Sequence, residues 1–190
     1  MAKIVVVYHS GAGHTAQVAK AVVKGAESVS GVSVKLMTAE EATADFTPLN
    51  DADCIIFGCP TYMGGPSAQF KTFIDAASKI WFKQGWKNKI AAGFTNSGGL
   101  SGDKLNTLNS LYINAMQHGM IWVGNPQMPT GTSPTDINRL SSWSGVMTQS
   151  DQGTSPEIAP PVGDLKTAEN FAVRVSELTL QFLKGKAVTT

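Results

Sequence analysis

A chain of 190 residues with 42% hydrophobic and 15% charged residues can build a full core and fits one domain, 1–190, better than two. That balance excludes disorder for the bulk of the chain, and a net charge of +1, with only two arginines (Arg139, Arg174) and scattered lysines, excludes a nucleic-acid binder. Two cysteines, Cys54 and Cys59, are too few for a disulfide framework or a four-ligand zinc site. The early apolar run Ile4 to Val7 is too short for a signal segment or a membrane span, so a soluble cytoplasmic protein is expected.

Short β-branched runs alternate with amphipathic patterns along the chain. Ile4 to Tyr8 reads as a strand buried on both faces. Thr15 to Val29 reads as a helix with Ala19, Val22, Ala26 and Val29 on one stripe. Val32 to Met37 is a second strand, Cys54 to Gly58 a third after the turn 50–53, and Pro66 to Ala77 a helix with Phe70, Phe73 and Ile74 inward. Lys89 to Thr95 is a fourth strand. Asp103 to Gln117 is the clearest helix, with Gly119 as its stop, and Met120 to Val123 is the fifth strand. Segment 125–163 carries six of the nine prolines and reads mostly as loop, with a short helix from Ser133-Pro134 through Leu140. A loop of this length is expected to cover a site or an interface. Leu165 to Leu183 is the last helix. Strand–helix alternation implies right-handed crossovers. The expected fold is α/β, a doubly wound, five-stranded parallel sheet in the order 2-1-3-4-5 with helices on both faces.

Ligands in such sheets bind outside the carboxyl ends of the strands, beside the point where the order reverses. Three loops rich in glycine and hydroxyls follow the strands that meet there: His9-Ser10-Gly11-Ala12-Gly13-His14-Thr15, then Pro60-Thr61-Tyr62-Met63-Gly64-Gly65, then Asn96-Ser97-Gly98-Gly99. The first opens a helix, a natural anion cradle, yet it holds no Lys or Arg. Neutral donors would therefore hold the anion, at about 1.5–3 kcal/mol for each hydrogen bond to charge. A P-loop is excluded, because no Lys followed by Ser or Thr closes the glycines. Gly11-x-Gly13-x-x-Ala16 formally fits a relaxed dinucleotide fingerprint, but that reading leaves the other two loops without a role.

The run Val6-Val7-Tyr8-x-Ser10-x-x-Gly13-x-Thr15-x-x-x-Ala19-x-x-Val22 resembles the FMN phosphate signature of the flavodoxin-like superfamily. Gly58-Cys59-Pro60-Thr61-Tyr62-Met63-Gly64, Phe73-Ile74-Asp75 and His118-Gly119-Met120 resemble the WrbA-type NAD(P)H:quinone oxidoreductases. Tyr62, where that family usually has Arg, is similar to the related NADPH-dependent FMN reductases.

The resemblance implies that Ser10, Gly11, Ala12, Gly13, His14 and Thr15 hold the FMN phosphate. It places Pro60, Thr61, Tyr62, Met63 and Gly64 along the isoalloxazine, with Thr95, Asn96, Ser97, Gly98 and Gly99 over its other edge. It makes His118 the catalytic residue at the flavin face and Trp81 a contact to a neighbouring subunit in a dimer or tetramer. The implied activity is ping-pong transfer of a hydride from NADH or NADPH through FMN to a quinone or similar planar acceptor.

Other readings stay open on the residues alone. His118 also fits a plain helix C-terminus, and Trp81, Phe82 and Trp86 also fit a core cluster. The chain also fits a one-electron flavodoxin, or an FMN-binding regulatory or interaction protein.

Overall fold

The computed structural model describes residues 1–188. Strand β1 (Ala2–Tyr8) leads into helix α1 (His14–Glu27), then β2 (Val32–Thr38), α2 (Ala39–Ala44), α3 (Thr47–Asp51), β3 (Cys54–Tyr62) and β4 (Gly65–Pro66). Helices α4 (Ala68–Ala76) and α5 (Ser78–Trp81) precede β5 (Ile90–Ser97), α6 (Lys104–Gln117), β6 (Ile121–Trp122), β7 (Val146–Gln149) and α7 (Val162–Val188). The order β2-β1-β3-β5-β6 is parallel throughout, with β4 paired antiparallel to β3 and β7 paired parallel to β5.

Alternate residues of the central strands feed two cores. Ile4, Val6 and Ile56 pack with Val18, Val22, Phe171 and Val175 of α1 and α7. Val5, Val7 and Phe57 pack on the other face with Phe70 and Phe73 of α4, Trp86, and Leu108 and Leu111 of α6. Burial on both faces is what a near-continuous Val/Ile run requires. No helix among the described residues is long and apolar enough to cross a membrane.

The expected α/β class and strand order hold, with corrections. The fifth sheet position is filled by two short strands rather than one. Ile90 and Ala91 pair with Ile121 and Trp122, whereas Phe94 to Ser97 pair with Val146 to Gln149. The chain leaves the sheet between them and returns in register. Its ends are tied by Trp122 Nε1–H donating to Ser144 O at 2.7 Å and Asn125 N–H to Trp143 O at 2.9 Å.

The helix expected over Ser133–Leu140 is instead a series of turns. Asp136 takes the Ser133 amide (2.8 Å) and the Thr130 hydroxyl (3.1 Å), and Asn138 has φ 45°, outside the helical region. Helices α2 and α3 are additions, and α2 opens with a capping box between Thr38 and Glu41.

Candidate functional site

The carboxyl ends of β1, β3 and β5 open into one cleft of about 710 Å³, within the range of small-molecule sites. Its walls bring together Ala12, His14 and Thr15 from the first loop, Pro60, Thr61 and Tyr62 from the second, and Asn96 to Gly99 from the third. A fourth segment, Ser150 to Gly153 after β7, completes the wall. The 125–163 segment thus supplies both a strand and part of the site.

The first loop is closed by its own side chains. Ser10 Oγ accepts from Ala16 N–H at 3.1 Å and so takes one donor of the first turn of α1. Gly13, at φ 88°, caps the helix in a conformation that suits glycine. The amides of His14 and Thr15 open the helix, where no intrahelical acceptor exists for them. The His14 ring nitrogen Nε2 donates to the Thr154 carbonyl at 2.7 Å, which joins this loop to the fourth segment. Pro156 also closes on the loop, since a Cβ on Gly13 would lie 3.0 Å from its ring. Gly11 sits against the second loop, where a Cβ would lie 2.5 Å from the Tyr62 hydroxyl.

The deeper floor is hydroxyl-rich. Thr61 Oγ1 lies 2.8 Å from Thr95 Oγ1 and 2.7 Å from Thr107 Oγ1, and Thr95 donates to Cys59 O at 2.7 Å. Thr95 is therefore under the cleft rather than in its wall. Asn96 Oδ1 accepts from Thr148 (2.8 Å) and Ser150 (3.1 Å), which leaves its amide nitrogen as the end free to donate to a ligand. Met63 and Gly64, at φ 47° and 79°, form the tight turn between β3 and β4, with Met63 fully exposed at the rim.

His118 is a correction. It ends α6 at the opposite end of the sheet, roughly 20 Å along the helix from Lys104 at 1.5 Å per residue. Its ring is buried against Trp86, 4.4 Å between centroids, and its Nδ1 has no hydrogen-bond partner among the described residues. Burial lowers its pKa to about 4, so it is neutral at physiological pH. Gly119 O accepts from Asn88 N–H at 2.9 Å, just ahead of β5, which places this corner at the amino ends of the strands. Within the chain His118 cannot touch a ligand in the cleft.

The aromatic cluster divides. Trp86 is core, while Trp81 and Phe82 are exposed and meet edge-on at 6.4 Å. Cys54 and Cys59 are buried, and desolvation pushes both thiols up to about 12, far from thiolate chemistry.

Sequence reasoning missed the charged groups behind the third loop. Lys104 Nζ donates to Ser97 Oγ at 2.8 Å and to Gly99 O at 2.5 Å. Arg139 pairs with Asp164 at 2.8 Å and 3.1 Å and donates to Gln149 Oε1 at 2.9 Å. Gln149 in turn donates to Gly98 O at 2.9 Å and to Asp151 at 2.6 Å. Asp164 also accepts the Gln149 amide at 2.8 Å. Burial raises the Asp164 pKa, opposed by Arg139 and the Gln149 amide. Only Asp164 carried a local signal, an acid in the first turn of a helix.

The cleft fits FMN. It has an amide-rich anion cradle without Lys or Arg at one end, a hydroxyl-rich floor under β3 and β5, and in the wall after β7 the Asp151 carboxylate, held by Gln149. Beside it lies a second hollow of about 760 Å³, lined by Leu100, Leu105, Leu140, Trp143 and Met147 among polar residues.

Comparison with known proteins agrees. Residues 2–135 match the family model described as NADPH-dependent FMN reductase. The chain is 42% identical over 184 residues to flavodoxin FldP of Pseudomonas aeruginosa (strain UCBPP-PA14), covering 95% of this chain and 98% of that one. The crystal structure of a flavodoxin, WrbA-like protein from Agrobacterium tumefaciens matches with TM-score 0.76 and 41% identity, covering 96% of this chain and 99% of that one. A flavodoxin from the domain Archaea shares the fold at TM-score 0.68 and 19% identity, covering 94% and 99% of the two chains. The chain belongs to the NADPH-dependent FMN reductase family, a group of FMN-binding, flavodoxin-like oxidoreductases.

Proposed function

We propose that this chain binds FMN in the cleft and works as a flavodoxin-type electron-transfer protein. The observation that carries this reading is a cleft at the switch point whose first loop offers backbone amides and hydroxyls, with no Lys or Arg, to an anion. Bound FMN would supply reversible one- and two-electron chemistry. Ser10, Thr15 and the amides of the first turn of α1 would hold the phosphate. Asn96 would donate to the ring from one side, and Tyr62 would cover it from the other. Exposed apolar groups follow β3 (Tyr62, Met63) and β5 (Leu100) and precede β7 (Trp143), with Asp103 and Asp151 in the same walls, and a partner or planar acceptor would approach there. The likeness to a flavodoxin over nearly the whole chain supports the same reading.

The family match to NADPH-dependent FMN reductases favours a second reading, an NAD(P)H:quinone oxidoreductase. In that reading the hollow beside the cleft takes the nicotinamide or a planar acceptor. A cytoplasmic homo-oligomer with Trp81 at its interface belongs with it.

Reconstitution with FMN followed by stopped-flow mixing separates the two. Slow reduction by NADH and NADPH, with rapid oxidation of the pre-reduced protein by one-electron acceptors, supports the carrier. Rapid reduction by either nucleotide and turnover with quinones would establish the reductase. No binding of FMN would overturn both.

A further inference from the structure

The third loop is held from behind by a cation. Lys104 is fully buried, and its ammonium donates to Ser97 Oγ at 2.8 Å and Gly99 O at 2.5 Å, both on residues that line the cleft. An ammonium has three donors, and the chain gives it two neutral acceptors. No carboxylate among the described residues lies within ion-pair distance of it. The charges that act on it are Asp164 of α7, already bound twice by Arg139, and Arg139 itself from the excursion between β6 and β7.

Burying an unpaired charge is costly, and desolvation lowers the Lys104 pKa to about 8. The group is still mostly protonated at neutral pH. The backbone delivers it there at some cost as well. Gly102 and Asp103, at φ 54° and 53°, are consecutive left-handed residues immediately before it, and for Asp103 this region is uncommon.

A strap for the loop would need only a hydrogen-bond donor. A buried, unpaired positive charge does more, because its field acts on whatever the loop faces at low dielectric. Resting on the FMN reading above, we infer that Lys104 is a positioning residue that raises the reduction potential of the bound flavin, acting through the Ser97–Gly99 loop without touching it. Two-electron reduction with uptake of one proton adds one negative charge to the flavin. The electrons come from a reduced nicotinamide or redox protein in function and from dithionite in the test. Lys104 favours that added charge and leaves the oxidised form nearly unaffected.

The test compares wild type with Lys104→Met, Lys104→Gln and Lys104→Arg. Its readouts are oxidised-FMN affinity by fluorescence quenching, the midpoint potential at pH 7 against a reference dye, and melting of the apoproteins. Gln keeps a donor for Ser97 without the charge, and Arg keeps the charge. The expected result is that Met and Gln bind oxidised FMN within a few-fold of wild type but favour the reduced form about tenfold less. For a two-electron couple that is a fall of about 30 mV. Arg stays near wild type.

If Met fails to fold, Gln alone decides. A wild-type potential in flavin-loaded Gln overturns the inference, as does an equal loss of affinity for both redox states. Failure of the wild type to bind FMN overturns the flavin reading, and this inference with it.

Discussion

Thr15 and His118 are both buried polar residues, and their surroundings assign them opposite roles. Thr15 lies in the cleft wall, and its hydroxyl makes no hydrogen bond among the described residues. Thr15→Val, nearly isosteric, should weaken FMN binding by about 1–3 kcal/mol, roughly 5- to 150-fold in Kd, with little change in apoprotein melting. Fluorescence titration checks it. His118 sits neutral against Trp86, with its pKa lowered to about 4 by burial from an ordinary 6.5. A depressed histidine pKa means that the unfolded chain binds the proton first. The stability it allows is therefore complete above pH 6.5 and lost as pH falls toward 4, by about 3 kcal/mol. Urea unfolding at pH 7 and pH 4.5 should show this loss in wild type and a smaller one in His118→Phe, which keeps the ring contact. The same variant should leave flavin reduction unchanged, whereas a collapse in rate would restore His118 to the site.

The elements that hold the cleft are tied together by contacts far apart in sequence. Arg139 and Asp164 form a buried pair, and Asp164 also takes the amide of Gln149, whose side chain reaches Gly98 in the third loop. Breaking one member of such a pair leaves an uncompensated buried charge. Asp164→Asn should cost about 3–5 kcal/mol by chemical denaturation, and FMN affinity should fall too as Gly98 is released. Helices α1 and α7 cross closely at Gly25, where a Cβ would stand 2.1 Å from the Glu169 carbonyl oxygen. Gly25→Ala should therefore destabilise by about 1–3 kcal/mol or more, and a thermal melt reads it.

This scale also marks where the sequence stops being legible. The buried strands and the three loops after them announce themselves, because two-faced burial needs unbroken β-branched runs and tight loops need glycine and hydroxyls. The strand Val146–Gln149 does not. It is four residues long, it follows Gly145 in a proline-rich stretch, and its conformation comes from pairing with β5. Lys104 was hidden for a related reason. On a helical wheel it is one more polar residue, whereas the structure buries it fully, directly after the left-handed pair Gly102 and Asp103. His118 misled through its local Gly-Met context, which says nothing about which end of the sheet the helix finishes on.

At the scale of the molecule, a net charge of +1 constrains how any redox partner finds the cleft. Carriers that dock by electrostatic steering need a large single-sign field, and their association rates fall by ten- to a thousandfold or so as salt screens it. Here the exposed apolar side chains Tyr62, Met63, Leu100 and Trp143 around the cleft and the hollow beside it outnumber the carboxylates Asp103 and Asp151 in the same walls, and the turn at Gly64 is braced against α6 by Asn106 Nδ2 donating to its carbonyl at 2.6 Å. Encounter should then be governed by burial of apolar surface rather than long-range attraction. Raising ionic strength from 0.01 to 0.1 M shortens the screening length from about 30 to about 10 Å. The second-order rate of oxidation of the FMN-loaded, pre-reduced protein by a small anionic acceptor should change by no more than about threefold across that range. Met63→Glu, placed on the exposed turn, should slow the same reaction with an anionic acceptor and introduce the salt dependence that wild type lacks. A steep salt dependence in wild type would instead require a local charged patch to guide docking, and these apolar side chains would no longer be the landing surface.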